Sequence, residues 1–348
     1  MRVLIATVKV PFVQGGAEIH ATGLRQALIA AGHLAEIVAI PFKWYPPERI
    51  LDQMLACRLL DLSETAGVPV DRLIALKFPA YLIPHPRKVI WLLHQHRQAY
   101  DLWHHPLSDL DNDDHGEQVR AAIQHADAEL IPLARHVFAN SRNVAVRLRA
   151  FCGVEARPLY HPPQDAGLFY HAPAEDFLYF PSRIDPLKRQ DLVIEALALT
   201  RAPVRICFSA PAAEPAFERK CLALARARGV AERVEWLGMV SNEAKRDLYA
   251  RCLGVLFPPV DEDYGYITLE AMLACKPVIT CSDSGGPLEF VGNYRTGIVA
   301  EPQADALAAA MDELWENRQI AARWGEAGRQ RYGDLGITWD RVVEQLLA

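Results

Sequence analysis

Four carboxylates crowd residues 260–272, VDEDYGYITLEAM, and the last of them, Glu270, lies in an apolar stretch that reads as a helix starting near Gly265. Two chemistries compete for these acids. Asp261 and Asp263 make a D-x-D that could chelate a divalent metal. Glu262 and Glu270, separated by seven residues, fit a different use. The backbone N–H groups of Gly265, Tyr266 and Ile267 would open the helix as an anion-binding terminus. Glu270 would stand one turn beyond Tyr266, roughly 6 Å along the axis, which matches the reach from a diphosphate to a ribose. There it can accept from two ribose hydroxyls, while Glu262 in the preceding loop accepts from sugar hydroxyls.

A set of cations suits the same ligand. In SRIDPLKRQ, Arg183 and Lys188 follow an apolar strand, where a guanidinium and an ammonium can hold a diphosphate and stabilise its growing charge in place of a magnesium ion. Ordinary surface cations are the competing reading. QGGAE places Gly15 and Gly16 between the first strand and a helix, a position suited to phosphate, although the full G-x-G-x-x-G of a dinucleotide site is missing. HQHR sets His94 and His96 at the end of another strand, on the side where ligands of parallel sheets bind. His96, together with Arg97 and Tyr100 just beyond, is a candidate for the acceptor side. Residues 104–117, HHPLSDLDNDDHGE, mimic a calcium loop at Asp109, Asp111 and Asp113. Asp114, however, stands where glycine is required and Arg120 where glutamate is, so a solvated loop is the better reading.

These residues need elements to hold them. RVLIATV, LAEIVAI, RLIALKF, KVIWLLH, HVFANS and ARPLYH read as strands with helices between several of them. The first helix shows Ile19, Leu24, Ala27, Leu28 and Ala31 at helical spacing before Gly32. After the turn-rich HPPQDAG the rhythm restarts with FLYFPS, PVRICFS, RVEWLG, GVLFPP, PVITC and TGIVA. Apolar strands alternating with helices imply parallel sheets covered on both faces. The expected architecture is α/β, with two doubly wound Rossmann-like domains facing across a cleft: residues 1–165, residues 166–325, and a C-terminal helical segment, 326–348, with a path back to the first domain.

Composition excludes several classes. The 348 residues, 51% of them apolar, can bury two cores of ordinary domain size. A net charge of -6 with acids and bases intermixed provides no basic stripe for nucleic acid. The seven cysteines are scattered, with no C-x2-C spacing, as expected of reduced thiols in a cytoplasmic protein. No apolar run reaches the ~20 residues of a membrane span. MRVLIATVKV has no signal-peptide cleavage site, so neither secretion nor membrane insertion is expected.

In order and spacing, SRIDPLKRQDLVIEAL, the E-x7-E of Glu262 and Glu270, EAMLACKPVI and SGGPLEFV resemble the donor-site motifs of the family 4 glycosyltransferases, retaining enzymes of the GT-B fold. The resemblance runs over essentially the whole chain. It implies an acceptor-side domain at 1–165 and a donor domain at 166–325. It implies that a hexose moves from a GDP- or UDP-sugar to a hydroxyl of a glycan or lipid-linked acceptor, with retention and with no metal or other cofactor, in cell-surface glycan or glycoconjugate biosynthesis. It assigns Glu262 to the donor sugar, Glu270 to the ribose, Arg183 and Lys188 to the diphosphate, Gly16 to the reaction centre, and His94, or else His96, to the transferred sugar. Such an enzyme is expected in the cytoplasm, with peripheral attachment to the inner face of a membrane allowed.

The chain departs from the family where Ser182, Arg189 and Cys275 replace glycines and where FSAPAAE replaces a glycine-rich loop. Two rival functions are a non-catalytic nucleotide-sugar sensor on the same fold and a metal-dependent hydrolase using the histidine and aspartate segment.

Overall fold

The computed structural model describes residues 1–12 and 15–348. The chain forms two units, Met1–Gln164 together with Thr338–Ala348, and Asp165–Ile337.

In the first unit, β1 (Arg2–Lys9), β2 (Leu34–Pro41), β3 (Arg72–Ala75), β4 (Lys88–Leu92), β5 (His136–Ala139) and β6 (Arg157–Pro158) build one sheet in the order β2-β1-β3-β4-β5-β6. Every pairing is parallel, and the register sets Ile5 beside Ile37 on one side and Ile74 on the other. β3 and β4 are buried along their whole length, as inner strands covered on both faces must be. The helices are α1 (Gly16–Ala30), α2 (Glu48–Leu59), α3 (Gly116–Leu130) and α4 (Arg142–Cys152).

The second unit repeats the plan. β7 (Leu178–Phe180), β8 (Ile206–Phe208), β9 (Val234–Trp236), β10 (Gly254–Leu256), β11 (Val278–Cys281) and β12 (Gly297–Ala300) form a parallel sheet in the order β9-β8-β7-β10-β11-β12. Around it lie α5 (Gln190–Leu199), α6 (Pro215–Ala227), α7 (Asn242–Arg251), α8 (Tyr266–Leu273), α9 (Ala304–Glu316) and α10 (Arg318–Asp334). The winding reverses between β7 and β10, so the loops leaving these two strands open the crevice where ligands of doubly wound sheets bind.

All twelve strands read from the sequence are present. A short antiparallel pairing of Glu64–Thr65 with Val68–Pro69 was not foreseen. The boundary drawn at 325/326 falls inside α10. That helix runs unbroken and sits so close to the turn after α8 that a Cβ on Gly325 would meet the Cys275 carbonyl at 2.0 Å. The segment that belongs with the first unit is shorter and centres on α11 (Trp339–Leu347).

α11 completes one face of the first sheet. Val342, Val343 and Leu346 join Val3, Ile5, Leu24, Leu28, Trp91 and Phe138 in a single core. Gly23 on α1 makes room for it, since a Cβ there would lie 2.5 Å from the Trp339 ring. Beside this contact, the fully buried His20 stands 4.1 Å, ring to ring, from both Trp91 and His161, and Trp339 lies 5.7 Å from His161. Burial pushes the His20 pKa down to about 3 and that of His161 well below its ordinary value, so both rings are neutral. All seven cysteines are free thiols. Among the described residues no helix is long and apolar enough to cross a membrane.

Candidate active site

Both loops at the reversal point of the second sheet carry expected site residues. After β7, the Asp185 side chain caps a 3₁₀ turn, Pro186–Lys188, by accepting from the Leu187 N–H at 2.9 Å. The Arg183 carbonyl accepts from Gln190 Nε2 at 2.8 Å, which holds its backbone. Its guanidinium is exposed, with no ion pair among the described residues. Lys188 Nζ meets Glu262 Oε2 directly, and the ammonium also lies 5.7 Å from the Phe257 ring centroid. Glu262 is fixed through its backbone: its N–H donates to Ser284 at 3.0 Å and its carbonyl accepts from Gly286 at 2.7 Å.

α8 opens directly after this loop. Gly265 caps it at φ 84°, a conformation that suits glycine, and a Cβ there would also press on Pro287 at 3.0 Å. Its first-turn amides at Tyr266 and Ile267 are of the kind that helices leave without internal acceptors. The Ile267 side chain packs against the core, and the Tyr266 ring meets Tyr264 edge-on at 5.2 Å.

Glu270 is 6% exposed, and both of its oxygens are engaged. Oε1 takes Lys245 Nζ and Oε2 takes the Tyr249 hydroxyl, each at 2.7 Å. Burial and the Glu270 charge push the Tyr249 pKa well above its ordinary value, so that hydroxyl stays a donor. Each carboxylate oxygen has a second lone pair, which leaves capacity for hydroxyls of a ligand. Sequence reading missed Lys245 and Tyr249. Their signal is the i, i+4 spacing on α7, behind the Ser241 cap, which puts both on one face.

Three departures from the family's glycines share one property: Arg189 (φ 62°), Cys275 (φ 54°) and Ala210 in FSAPAAE (φ 132°) all hold positive φ. The chain keeps a backbone that glycine adopts freely while placing side chains on it. Asp261 is also left-handed, at φ 40°. Among the described residues no group of three His, Cys, Asp or Glu side chains converges as a metal site would need.

In the first unit, Gly15 caps α1, and its N–H donates to Glu18 Oε2 at 2.8 Å. A carboxylate of the helix's own first turn therefore occupies the amide expected to meet phosphate, and Gly16 begins the helix. Gln14 of QGGAE lies outside the described residues.

His94 Nδ1 donates to the Gln95 carbonyl at 2.6 Å, which selects the tautomer of the neutral ring. His96 instead packs against Phe78 and Phe42, with ring centroids 5.3 and 6.4 Å away. Burial, reinforced by His94 and Lys77, pushes its pKa down to about 3. Arg97 Nε bonds Asp101 at 2.7 Å, and Arg147 joins the same carboxylate at 3.4 Å.

Tyr100 requires a correction as an acceptor-side residue. It is 4% exposed, and its hydroxyl donates to the buried Asp127 at 2.7 Å, beside Tyr81 at 2.8 Å. An aromatic ring of that size gains more by burial with its hydroxyl satisfied than by standing in water. Burial pushes Asp127 up to about 7. The acids of 104–117 serve local turns: Asp111 meets His104 at 2.9 Å and Asp113 accepts from the His115 N–H at 2.9 Å.

Residues 171–331 match the family described as glycosyl transferases group 1. The O-antigen chain mannosyltransferase C of Escherichia coli is 28% identical over 55% of this chain and 51% of its own length. The mouse alpha-1,3/1,6-mannosyltransferase ALG2 is 35% identical over 32% of this chain and 27% of its own. The chain thus spans about half the length, or less, of these curated relatives.

Among solved structures, sucrose-phosphate synthase from Thermosynechococcus elongatus superposes with a TM-score of 0.79 at 18% identity, covering 99% of this chain and 97% of that one. Anabaena Alr3699/HepE in complex with UDP-glucose gives 0.73 at 18% identity, covering 99% and 98%. At such identities the likeness establishes the fold. The group 1 match thus covers most of the second unit, and the two parallel Rossmann-like sheets, matching these neighbours end to end, give the chain the GT-B fold.

Proposed function

We propose that this protein transfers a hexose from a nucleoside diphosphate sugar to an acceptor hydroxyl, with retention at the anomeric carbon and without a metal. The observation that carries the reading is the Lys188–Glu262 contact at the reversal point of the second sheet, with Arg183 on the Lys188 loop and the α8 terminus following the Glu262 loop. The bond from the anomeric carbon to the diphosphate breaks, a bond to the acceptor oxygen forms on the same face, and the acceptor proton passes to the departing phosphate oxygen. Arg183, Lys188 and the amides of Gly265, Tyr266 and Ile267 stabilise the leaving charge.

Glu262 orients sugar hydroxyls and Glu270 the ribose. Of the two histidines His94 is assigned to the sugar, because His96 is committed to aromatic packing. Gly16 is the glycine assigned to the donor, because the Gly15 amide already holds Glu18. The acceptor is a glycan or a lipid-linked glycan, and the setting is cell-surface glycan biosynthesis in the cytoplasm, at the inner face of the membrane where the acceptor is lipid-linked.

The test is release of nucleoside diphosphate from a donor panel. GDP-mannose leads it, since the two relatives above are named mannosyltransferases, and UDP-glucose follows, since it occupies the Anabaena structure. Product NMR reads the anomer, and an inverted linkage removes retention. Activity that vanishes in excess chelator removes metal independence and restores the D-x-D of Asp261 and Asp263. Donor binding without turnover on any acceptor supports the sensor instead.

A further inference from the structure

We propose that Arg189 and Asp283 are a positioning pair that sets Lys188 against Glu262; its consequence for ligand binding rests on the donor-site reading above, while its geometry does not. Arg189 follows Lys188 and holds a left-handed backbone, φ 62° and ψ 39°, which non-glycine residues rarely adopt. Its side chain compensates. Nη1 and Nη2 grip Oδ1 and Oδ2 of Asp283 at 2.7 and 2.5 Å, the two-pronged geometry in which a guanidinium binds a carboxylate most firmly. The arginine side chain is 18% exposed and the aspartate 41%, so the pair is partly open to solvent and its grip rests on the two-pronged geometry rather than on burial.

Asp283 lies in the loop after β11, and backbone bonds stitch that loop to the others of the site. Val260 N–H donates to Leu187 at 2.8 Å, Asp261 N–H to the Asp283 carbonyl at 2.9 Å, and Glu262 N–H to Ser284 at 3.0 Å. Residues 260–262 are therefore sewn on one side to the loop that carries Lys188 and on the other to the loop that carries Asp283. The Arg189–Asp283 pair joins those two outer loops directly and closes a ring of three loops, after β7, β10 and β11. Lys188 and Glu262 both ride on this ring. A bound diphosphate must draw the Lys188 ammonium partly away from Glu262, and the ring keeps the backbones of both in place while it does so. Small misplacements of such groups are costly in rate and affinity.

The test compares the wild-type protein with Arg189→Gly, Asp283→Asn and the reversed pair, Arg189→Asp with Asp283→Arg, since aspartate tolerates the left-handed backbone. Amide hydrogen exchange over 183–189 and 260–262 is read without ligand, affinity for GDP and UDP by calorimetry, and Tm alongside. Both single variants are expected to exchange faster in these loops and to bind the nucleotide about tenfold more weakly. Arg189→Gly is expected to do so at undiminished Tm, because glycine relieves its backbone. The reversed pair restores both readouts. Unchanged exchange and affinity in the single variants overturns the proposal, and so does a loss confined to Tm, which is what a merely structural contact gives. Exchange that responds in a protein binding neither GDP nor UDP supports the ring and overturns the donor-site reading.

Discussion

The Lys245 ammonium sits 2.7 Å from Oε1 of Glu270, a carboxylate whose side chain is 8% exposed. A buried acid of this kind needs its partners: losing one leaves desolvated charge without compensation. Lys245→Met is predicted to destabilise the protein by about 1–3 kcal/mol, toward the low end because the lysine side chain is itself 29% exposed. An unshifted urea midpoint would show that the pair contributes nothing. Glu270→Gln keeps an acceptor for Tyr249 and is expected to weaken nucleoside diphosphate binding more than stability.

Arg183 and Lys188 separate chemistry from folding. Arg183→Ala removes an exposed guanidinium and is expected to leave Tm near the wild-type value while lowering turnover about 100-fold or more. Lys188→Ala should match that loss in rate and also lower Tm, because it removes the Lys188–Glu262 ion pair. Rates near wild type in either variant, with donor saturating, count against the diphosphate assignment.

Gly265→Ala combines an adverse φ with pressure on Pro287. A loss of about 1–2 kcal/mol follows from the left-handed backbone, and affinity for nucleoside diphosphate should fall further than stability predicts because the helix terminus shifts. Calorimetric titration at a temperature where the variant is fully folded distinguishes the two effects.

Two buried groups tilt stability with pH in opposite directions. His20 is depressed from 6.5 to about 3, so the stability it provides is complete above pH 6.5 and is lost as pH falls toward 3. Asp127 is raised from 3.8 to about 7, so its contribution is complete below about pH 4 and is lost as pH rises through 7. Urea midpoints measured from pH 4 to 8 are expected to drop less on acidification in His20→Phe than in wild type, and less on the approach to pH 8 in Asp127→Asn. Curves parallel to wild type would place both titrations elsewhere.

Much of the framework can be read from the sequence because parallel strands buried on both faces write long apolar runs, and RVLIATV or PVITC has few alternative fates. The Glu262–Glu270 spacing was legible for a similar reason: a glycine cap and a helical phase fix where each acid stands. Side-chain partners were harder. Nothing in HQHRQAY distinguishes His94, whose ring bonds a neighbouring carbonyl, from His96, whose ring lies against Phe42 and Phe78, residues distant in sequence. Tyr100 looked like a sugar-stacking ring until Asp127 supplied a buried acceptor. Lys245 was hidden by its context, since a lysine on a charged helix ordinarily faces water.

The path of α11 makes residues 165–337 an insertion within the first unit. Replacing the second unit with that of a relative is therefore a cassette exchange with two seams, at 164/165 and 337/338, rather than a single fusion joint. Beside those seams stand His161 and Trp339, neighbours in one aromatic stack. A graft that carries its own residues at these two places must rebuild that stack, and a chimera joined only at the first seam leaves the hollow over Gly23 open to water.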